Sequence, residues 1–297
     1  MNSNIVASLW FDRRARQAVD FYLDVFPDST ETHLARYPEQ GLPAFQEDFA
    51  GDILEIGFRI DDFEFTAINA GPEFTINPSI SFMLNFDPSR DANAREHLDA
   101  TWSRLIDEGS ALMDLGSYDW SVRYGWLQDR FGVNWQLMLT DPEGEPRPFV
   151  VPQFMFPYRS AKARQALDYW TGVFPNAAPG TVVGYEPGQG QPEGTILFSD
   201  FRLAGQWFSA MDSGAQLPEG WEFNEAVSLV VECADQTEID HYWAALSAVP
   251  EAEQCGWCKD RFGVSWQIVP QNMDELMARP GAYQKMLAMK KLVIADF

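Results

Sequence analysis

Three kinds of residue are scarce in this chain of 297 residues, and each scarcity removes a class of function. Only three cysteines occur, Cys233, Cys255 and Cys258. That is too few for a disulfide framework, so a reducing cytoplasm is the expected compartment. Histidine is equally rare, at His33, His97 and His241. Basic residues are few as well: 21 Lys+Arg stand against 44 Asp+Glu, a formal net charge of −23. Nucleic acid and anionic membrane surfaces both call for clustered positive charge, so neither is an expected partner. No uncharged apolar run reaches the roughly 18 residues of a bilayer-spanning helix. Met1 to Phe11 also lacks the basic and apolar regions of a signal peptide.

Apolar residues, by contrast, make up 46% of the chain and aromatic residues 14%, enough for a buried core in either half. The chain also repeats itself. Residues 125–136, Gly-Trp-Leu-Gln-Asp-Arg-Phe-Gly-Val-Asn-Trp-Gln, recur at 256–267 as Gly-Trp-Cys-Lys-Asp-Arg-Phe-Gly-Val-Ser-Trp-Gln, with 9 of 12 positions identical. Ala15-Arg16-Gln17-Ala18 with Val25-Phe26-Pro27 recurs as Ala163-Arg164-Gln165-Ala166 with Val173-Phe174-Pro175. Phe65-Thr66-Ala67 recurs as Phe208-Ser209-Ala210. Three blocks in one order mark an internal duplication. The Pro- and Gly-rich stretch 141–148 is the linker, giving domains 1–146 and 147–297. Ser81 to Trp126 spans 45 residues and Ser228 to Trp257 only 29, so the first half carries an insertion of about 16 residues between 87 and 124.

Each half predicts the same succession. A strand (5–11; 151–156) leads into an amphipathic helix that ends at Pro27 or Pro175, with Asp12 and Ser160 as N-caps. Two strands follow (52–60 and 64–68; 195–203 and 206–211), then a third (79–86; 226–232). A second helix (92–107; 236–246) and a closing strand (133–139; 264–269) complete the half. The apolar stretch 273–289 reads as a C-terminal helical tail. The fold class is α+β.

Long segments of the sequence resemble the PhnB-like branch of the vicinal-oxygen-chelate superfamily, the group of glyoxalase I, bleomycin-resistance proteins and extradiol dioxygenases. They are VFPDS (25–29), AINAGP (67–72), SISF (79–82), GWLQDRFGVNWQLM (125–138), QCGWCKDRFGVSWQIVP (254–270) and MLAMKKLVIAD (286–296). The resemblance implies tandem βαβββ modules forming paired, cup-shaped antiparallel sheets. It also implies the label 3-demethylubiquinone 3-methyltransferase, often attached to such domains. The glycine-rich turn of a methyl-donor site is not evident, since Gly188, Gly190 and Gly194 have the wrong spacing.

Members of that superfamily typically hold a divalent metal with His and Glu on cup strands. The matching positions here are Ala7 and Met155 on the opening strands, Ser81 and Ser228 on the middle strands, and Gln136 and Gln267 on the last. Neutral amides and hydroxyls are weak ligands for a hard cation, so no metal and no other cofactor is expected. The candidate ligand-binding residues are Ser81, Trp135 and Gln136 in the first half and Ser228, Trp266 and Gln267 in the second. Cys255-Gly-Trp-Cys258 has redox spacing but strand-and-turn context, and its counterpart is Tyr124-Gly-Trp-Leu127. The expected function is small-molecule binding in the cups, within an intramolecular pseudo-dimer that leaves room for a homodimer. The alternatives are a metal-independent enzyme on a small metabolite, or an interaction module with filled cups.

Overall fold

The computed structural model describes residues 4–186 and 188–297, in which the duplication resolves into four related modules. The first runs β1 (Asn4–Asp12), α1 (Ala15–Val25), β2 (Ser29–Arg36), a 3-10 turn (Ala44–Phe49), β3 (Ile53–Ile60) and β4 (Phe63–Ala70). The second runs β5 (Ile80–Phe86), α2 (Ala94–Leu105), β6 (Ser110–Tyr118), β7 (Ser121–Gln128) and β8 (Asn134–Leu139). The third runs β9 (Val150–Phe156), α3 (Lys162–Val173), β10 (Ala178–Gly184), β11 (Ile196–Leu203) and β12 (Gln206–Asp212). The fourth is shorter: β13 (Val227–Cys233), α4 (Gln236–Leu246), β14 (Trp257–Lys259) and β15 (Ser265–Pro270). It has no described counterpart of β6, which lies within the extra length of the first half.

The strands form two sheets. Sheet A has the order β14-β15-β13-β1-β4-β3-β2, and sheet B the order β10-β11-β12-β9-β5-β8-β7-β6. Both are mixed, where a purely antiparallel arrangement was expected. The helix after the first strand of a module uses one traverse, so the last strand returns in the same direction as the first and pairs with it in parallel. That holds for β1 with β4, β5 with β8, β9 with β12, and β13 with β15.

Each sheet joins one module from each half of the sequence. β1 pairs with β13 in sheet A, and β5 with β9 in sheet B, both antiparallel. Residues 1–146 and 147–297 therefore do not build one cup each; each cup is shared. The aromatic packing follows the halves instead. Phe65 on sheet A meets Phe82 and Trp135 on sheet B, with Tyr22 of α1 beside them. In the second half Trp170 of α3 meets Phe201 on sheet B and Trp266 on sheet A. Burying such rings at contact distance contributes both transfer energy and ring–ring interaction, which makes these two clusters the main apolar core.

Five strands escaped the sequence reading: β2, β6, β7, β10 and β14. Each is an edge strand or its neighbour, as in the mostly exposed Ser-Thr-Glu-Thr-His-Leu-Ala-Arg of β2. With water on both faces, such a strand carries no hydrophobic alternation. The expected tail helix is two short ones, α5 (Met273–Met277) and α6 (Ala282–Leu287), broken at Pro280-Gly281, where Gly281 has φ 72°.

The expected N-caps also differ. Arg14 and Ala161 occupy the cap positions and make no side-chain cap bond, so Asp12 does not cap α1. The orphan N–H groups are satisfied from neighbouring strands. Asn69 Oδ1 accepts from Ala15 N (3.2 Å). Asp212 Oδ1 accepts from Lys162 N (3.0 Å) and Ser160 Oγ (2.8 Å), while its Oδ2 accepts from Ile196 N (2.9 Å). Ser160 thus keeps only a local 3.2 Å contact with Lys162 N. Asp212 is fully buried. Asp212→Ala is expected to cost about 2–4 kcal/mol and Asn69→Ala about 1 kcal/mol, read from urea midpoints. Equal small losses would refute tertiary capping by Asp212.

Candidate functional site

Side chains alternate across a strand, so the register decides which residues line the concave face of each sheet. On sheet B, Phe82, Trp135, Phe154 and Phe208 belong to the core. The interleaved Ser81, Gln136, Gln153 and Ser209 point the other way. On sheet A, Leu229, Trp266, Phe65 and the pair Ala7 and Leu9 face the core. Ser228, Gln267, Thr66 and Ser8 face outward into the second concavity.

This arrangement brings together four of the six candidate residues and separates two. Ser81 with Gln136, and Ser228 with Gln267, share a concave face and are hydrogen-bonded in pairs. Trp135 and Trp266 do not line a cup. Both are fully buried on the core face, one residue out of phase, and donate their indole N–H groups to Asp129 Oδ2 (2.9 Å) and Asp260 Oδ2 (3.0 Å). Ala7 is misplaced for the same reason. The cup-facing residue of β1 is Ser8, partnered with Thr66 and Ser228, and its equivalent on β9 is Gln153, partnered with Ser209 and Ser81. Met155 does face sheet B's concavity, two residues beyond Gln153. The three extra residues between β9 and α3, relative to β1 and α1, shifted the sequence alignment.

At the centre of sheet B the polar side chains close on one another. Gln136 Nε2 donates to Ser81 Oγ (2.8 Å) and to Gln153 Oε1, and Tyr124 OH donates to Gln136 Oε1 (2.6 Å). Burial raises the Tyr124 pKa above the usual phenol value, which keeps it a neutral donor. Beside this network, towards the interdomain linker, lies a cavity of about 300 Å³. Met83, Val151, Phe198 and Trp207 supply apolar walls, and Ser209, Asp200 and Arg147 supply polar groups. Arg147 comes from the linker. Its guanidinium lies 4.0 Å from the Trp207 ring, and its Nε donates to Asp200 Oδ2 (2.8 Å). Burial works against its charge, but the hydrogen bond and charge of Asp200 outweigh that. Neither Arg147 nor Gln153 stood out in the sequence. Gln153 needed the correct repeat register, and an arginine in a proline-rich linker carries no periodic signal.

The repeated Asp-Arg-Phe-Gly block is structural. Asp129 accepts from Tyr22 OH (2.8 Å), Trp135 Nε1 (2.9 Å), Phe131 N (2.8 Å) and Val133 N (3.0 Å). Asp260 accepts from Trp170 Nε1 (2.9 Å), Trp266 Nε1 (3.0 Å), Phe262 N (2.8 Å) and Val264 N (3.0 Å). Burial pushes the Asp129 carboxyl up to about 6 against the pull of those four donors, and raises Asp260 for the same reason.

The Cys255 and Cys258 thiols are also pushed up by burial, Cys258 to about 12, the opposite of a redox thiolate. Among the described residues no three His, Cys, Asp or Glu side chains converge as a metal site. Gly188, Gly190 and Gly194 fall in the connection between β10 and β11, two strands, and not in a strand-to-helix turn. No described helix is long and apolar enough to cross a membrane.

Comparison with known proteins agrees with this architecture. A family model described as 3-demethylubiquinone-9 3-methyltransferase matches residues 3–138 and again 149–269. A PhnB protein from Bacillus cereus, carrying the same methyltransferase description, is 31% identical over 46% of this chain and 98% of its own, with a TM-score of 0.39. Glyoxalase I from Zea mays is 10% identical over 97% of both chains, with a TM-score of 0.51. A Bacillus subtilis protein described as a candidate dioxygenase is 12% identical over 89% of this chain and 83% of its own, with a TM-score of 0.51. The last two establish likeness of fold. No curated protein matches the chain.

Proposed function

The chain belongs to the PhnB-like family whose model is described as 3-demethylubiquinone-9 3-methyltransferase, within the vicinal-oxygen-chelate superfamily, and from that premise we propose that sheet B's concave face binds a small organic metabolite. The observation that carries this reading is the cavity of about 300 Å³ between the apolar Met83, Val151, Phe198 and Trp207 and the polar Arg147, Asp200 and Ser209. A concavity that sets apolar walls against fixed polar groups is a usual form of a small-molecule site, and Asp87, Asp141 and Glu145 add further polar lining here.

Binding is favoured over catalysis by the state of the polar groups. The central amides and hydroxyls are occupied with one another, and Arg147 is tied to Asp200 and to Glu145 (3.0 Å). No free base or nucleophile stands among them.

A resident metal does not fit this donor set. Ser81, Gln136 and Gln153 are neutral, and the Gln136 amide N–H groups point at the other two side chains. A hard cation needs oxygen lone pairs aimed at it. Methyl transfer is set aside because the glycines that could serve a nucleotide-like methyl donor connect two strands and do not lead from a strand into a helix.

A thermal-shift screen of metabolites, followed by calorimetry on each hit, tests the proposal. Trp207→Ala and Arg147→Ala are each expected to weaken a hit about 10- to 100-fold. A hit whose affinity both variants leave unchanged would place binding elsewhere.

A further inference from the structure

The two sheets end differently at their outer edges. In sheet B the outermost strands β7 and β6 form a long hairpin, in which Tyr124 pairs with Gly116. Sheet A stops at β14, which is three residues long. The chain turns back there at Cys255-Gly256, the repeat counterparts of Tyr124 and Gly125, with φ of 52° and 89°. Gln254 and Trp257 close that turn with two backbone hydrogen bonds (3.1 and 2.8 Å). An edge that ends so early leaves N–H groups without a neighbouring strand.

The C-terminal segment supplies their partners. Met289 O accepts from Cys255 N (2.9 Å) and Lys290 O from Gly256 N (2.7 Å). Leu292 is fully buried against Gly256, where a Cβ would stand 3.2 Å from Leu292 Cδ1. The segment leaves β15 at Gln271, whose N–H donates to Cys233 O (2.9 Å). It then crosses to the connection between β2 and β3, where Tyr283 OH donates to Gln46 Oε1 (2.8 Å) and Gln284 Nε2 to Gly41 O (3.0 Å). From there it returns to β14. Between these anchors Met273, Met277, Met286 and Met289 pack with Val269, which shares the concave face of sheet A with Gln267. The Glu55 hydrogen bond raises the pKa of His33 on this face, burial opposes it, and the charge of Asp274 on α5 adds to the rise. The out-and-back path therefore lies over the cup.

The segment is fastened more lightly than the elements beneath it. It forms two small clusters of its own, one around Leu276, Ala282, Leu292 and Phe297 and one joining Tyr283 to Tyr37 and Phe49. α5 and α6 have five and six residues, too few to persist without such contacts. The ion pairs of Lys290 with Glu253 and Lys291 with Asp240 lie at the surface, where such pairs add little. A unit with few contacts to the main core opens at a lower free energy than the whole chain. Its methionines suit a packing that must come apart and re-form.

We propose that residues 271–297 are a releasable cover. They take the place of the hairpin arm that the fourth module lacks among its described residues, so that the chain itself closes the cup of sheet A, and they lift from it as one unit. The inference does not depend on binding in the cavity of sheet B.

Native-state hydrogen exchange on the full chain tests it. In the wild type the amides of Cys255 and Gly256 should be protected, but at least about tenfold less than those of the paired strands β1 and β13. The amides of Ala288, Met289 and Ile294, which are hydrogen-bonded within the segment or to Gln236, should share that intermediate protection. All five should respond less steeply than β1 and β13 to urea below the unfolding transition, because lifting the segment exposes less surface. Leu292→Ala should lower the protection of the five at least about tenfold. Protection and urea response equal to those of β1 and β13 would make the segment an integral part of the fold and overturn the proposal. So would five unrelated values, which mean local fraying, or a Leu292→Ala variant that exchanges like the wild type.

Discussion

Replacing Asp129 or Asp260 by alanine is expected to lower the unfolding free energy by about 3–5 kcal/mol, the range for breaking a buried, multiply bonded carboxylate. Each carboxyl accepts four hydrogen bonds in a fully enclosed setting. Alanine leaves two backbone N–H groups of the turn unpaired, together with the indole N–H of Trp135 and the hydroxyl of Tyr22, or the two indoles of Trp170 and Trp266. Those aromatic residues belong to the helix and strand that define each half's core, so both ends of the packing loosen together. Urea unfolding of the two variants measures the loss. A drop below about 1 kcal/mol in both would mean that the turn is not a structural lock.

Asp129 also sets a pH dependence. Its folded carboxyl titrates at about 6, above the ordinary value of 3.8. The folded state therefore binds the proton more tightly than the unfolded chain does. The stabilisation is fully present below the ordinary value and is lost as the pH rises through about 6, a change on the order of 3 kcal/mol. Asp129→Asn removes that segment of the curve along with the ionisable group. Unfolding free energies between pH 4 and 7 that fall in parallel for wild type and Asp129→Asn would contradict this assignment.

The second large effect is the installation of a metal site. Ser81→His, Gln153→His and Gln136→Glu would place two imidazoles and a carboxylate on three adjoining strands. The native side chains already converge there, because Gln136 donates to both Ser81 and Gln153. With Zn²⁺ or Ni²⁺ at about a thousand times its dissociation constant, the triple variant should gain about 4 kcal/mol. The wild type should gain nothing measurable from Zn²⁺, Ni²⁺ or Mn²⁺, since its donors are neutral and satisfied. Melting curves with and without metal separate the two. Strong stabilisation of the wild type would sink the reading of a metal-free site, and an unresponsive triple variant would show that the three positions do not converge closely enough.

Much of this architecture was legible in the sequence, because duplication and hydrophobic periodicity are local properties. The repeated Asp-Arg-Phe-Gly blocks, the paired amphipathic helices α1 and α3 and the strands carrying Gln136 and Gln267 all fell where the pattern put them. What stayed hidden depends on partners distant in the chain. Trp135 and Gln136 are neighbours in sequence yet face opposite sides of sheet B, and only the register against Phe82 and Met83 decides which one lines the cup. The caps of α1 and α3 come from Asn69 and Asp212, about 50 residues away.

Scarce histidine and scarce positive charge set two expectations, a cup without a metal and no nucleic-acid partner. By itself the sequence determined a twofold repeat of a known modular pattern. Only the tertiary structure decided that β1 joins β13 and β5 joins β9, so that each cup takes one wall from each half. The physical reason is that strand pairing is specified by edges and faces meeting in space. One cup is therefore closed on Gln153 and Tyr124 beside an open cavity, and the other keeps the Gln267–Ser228 bond, with the Ser8 and Thr66 hydroxyls unpaired among the described residues.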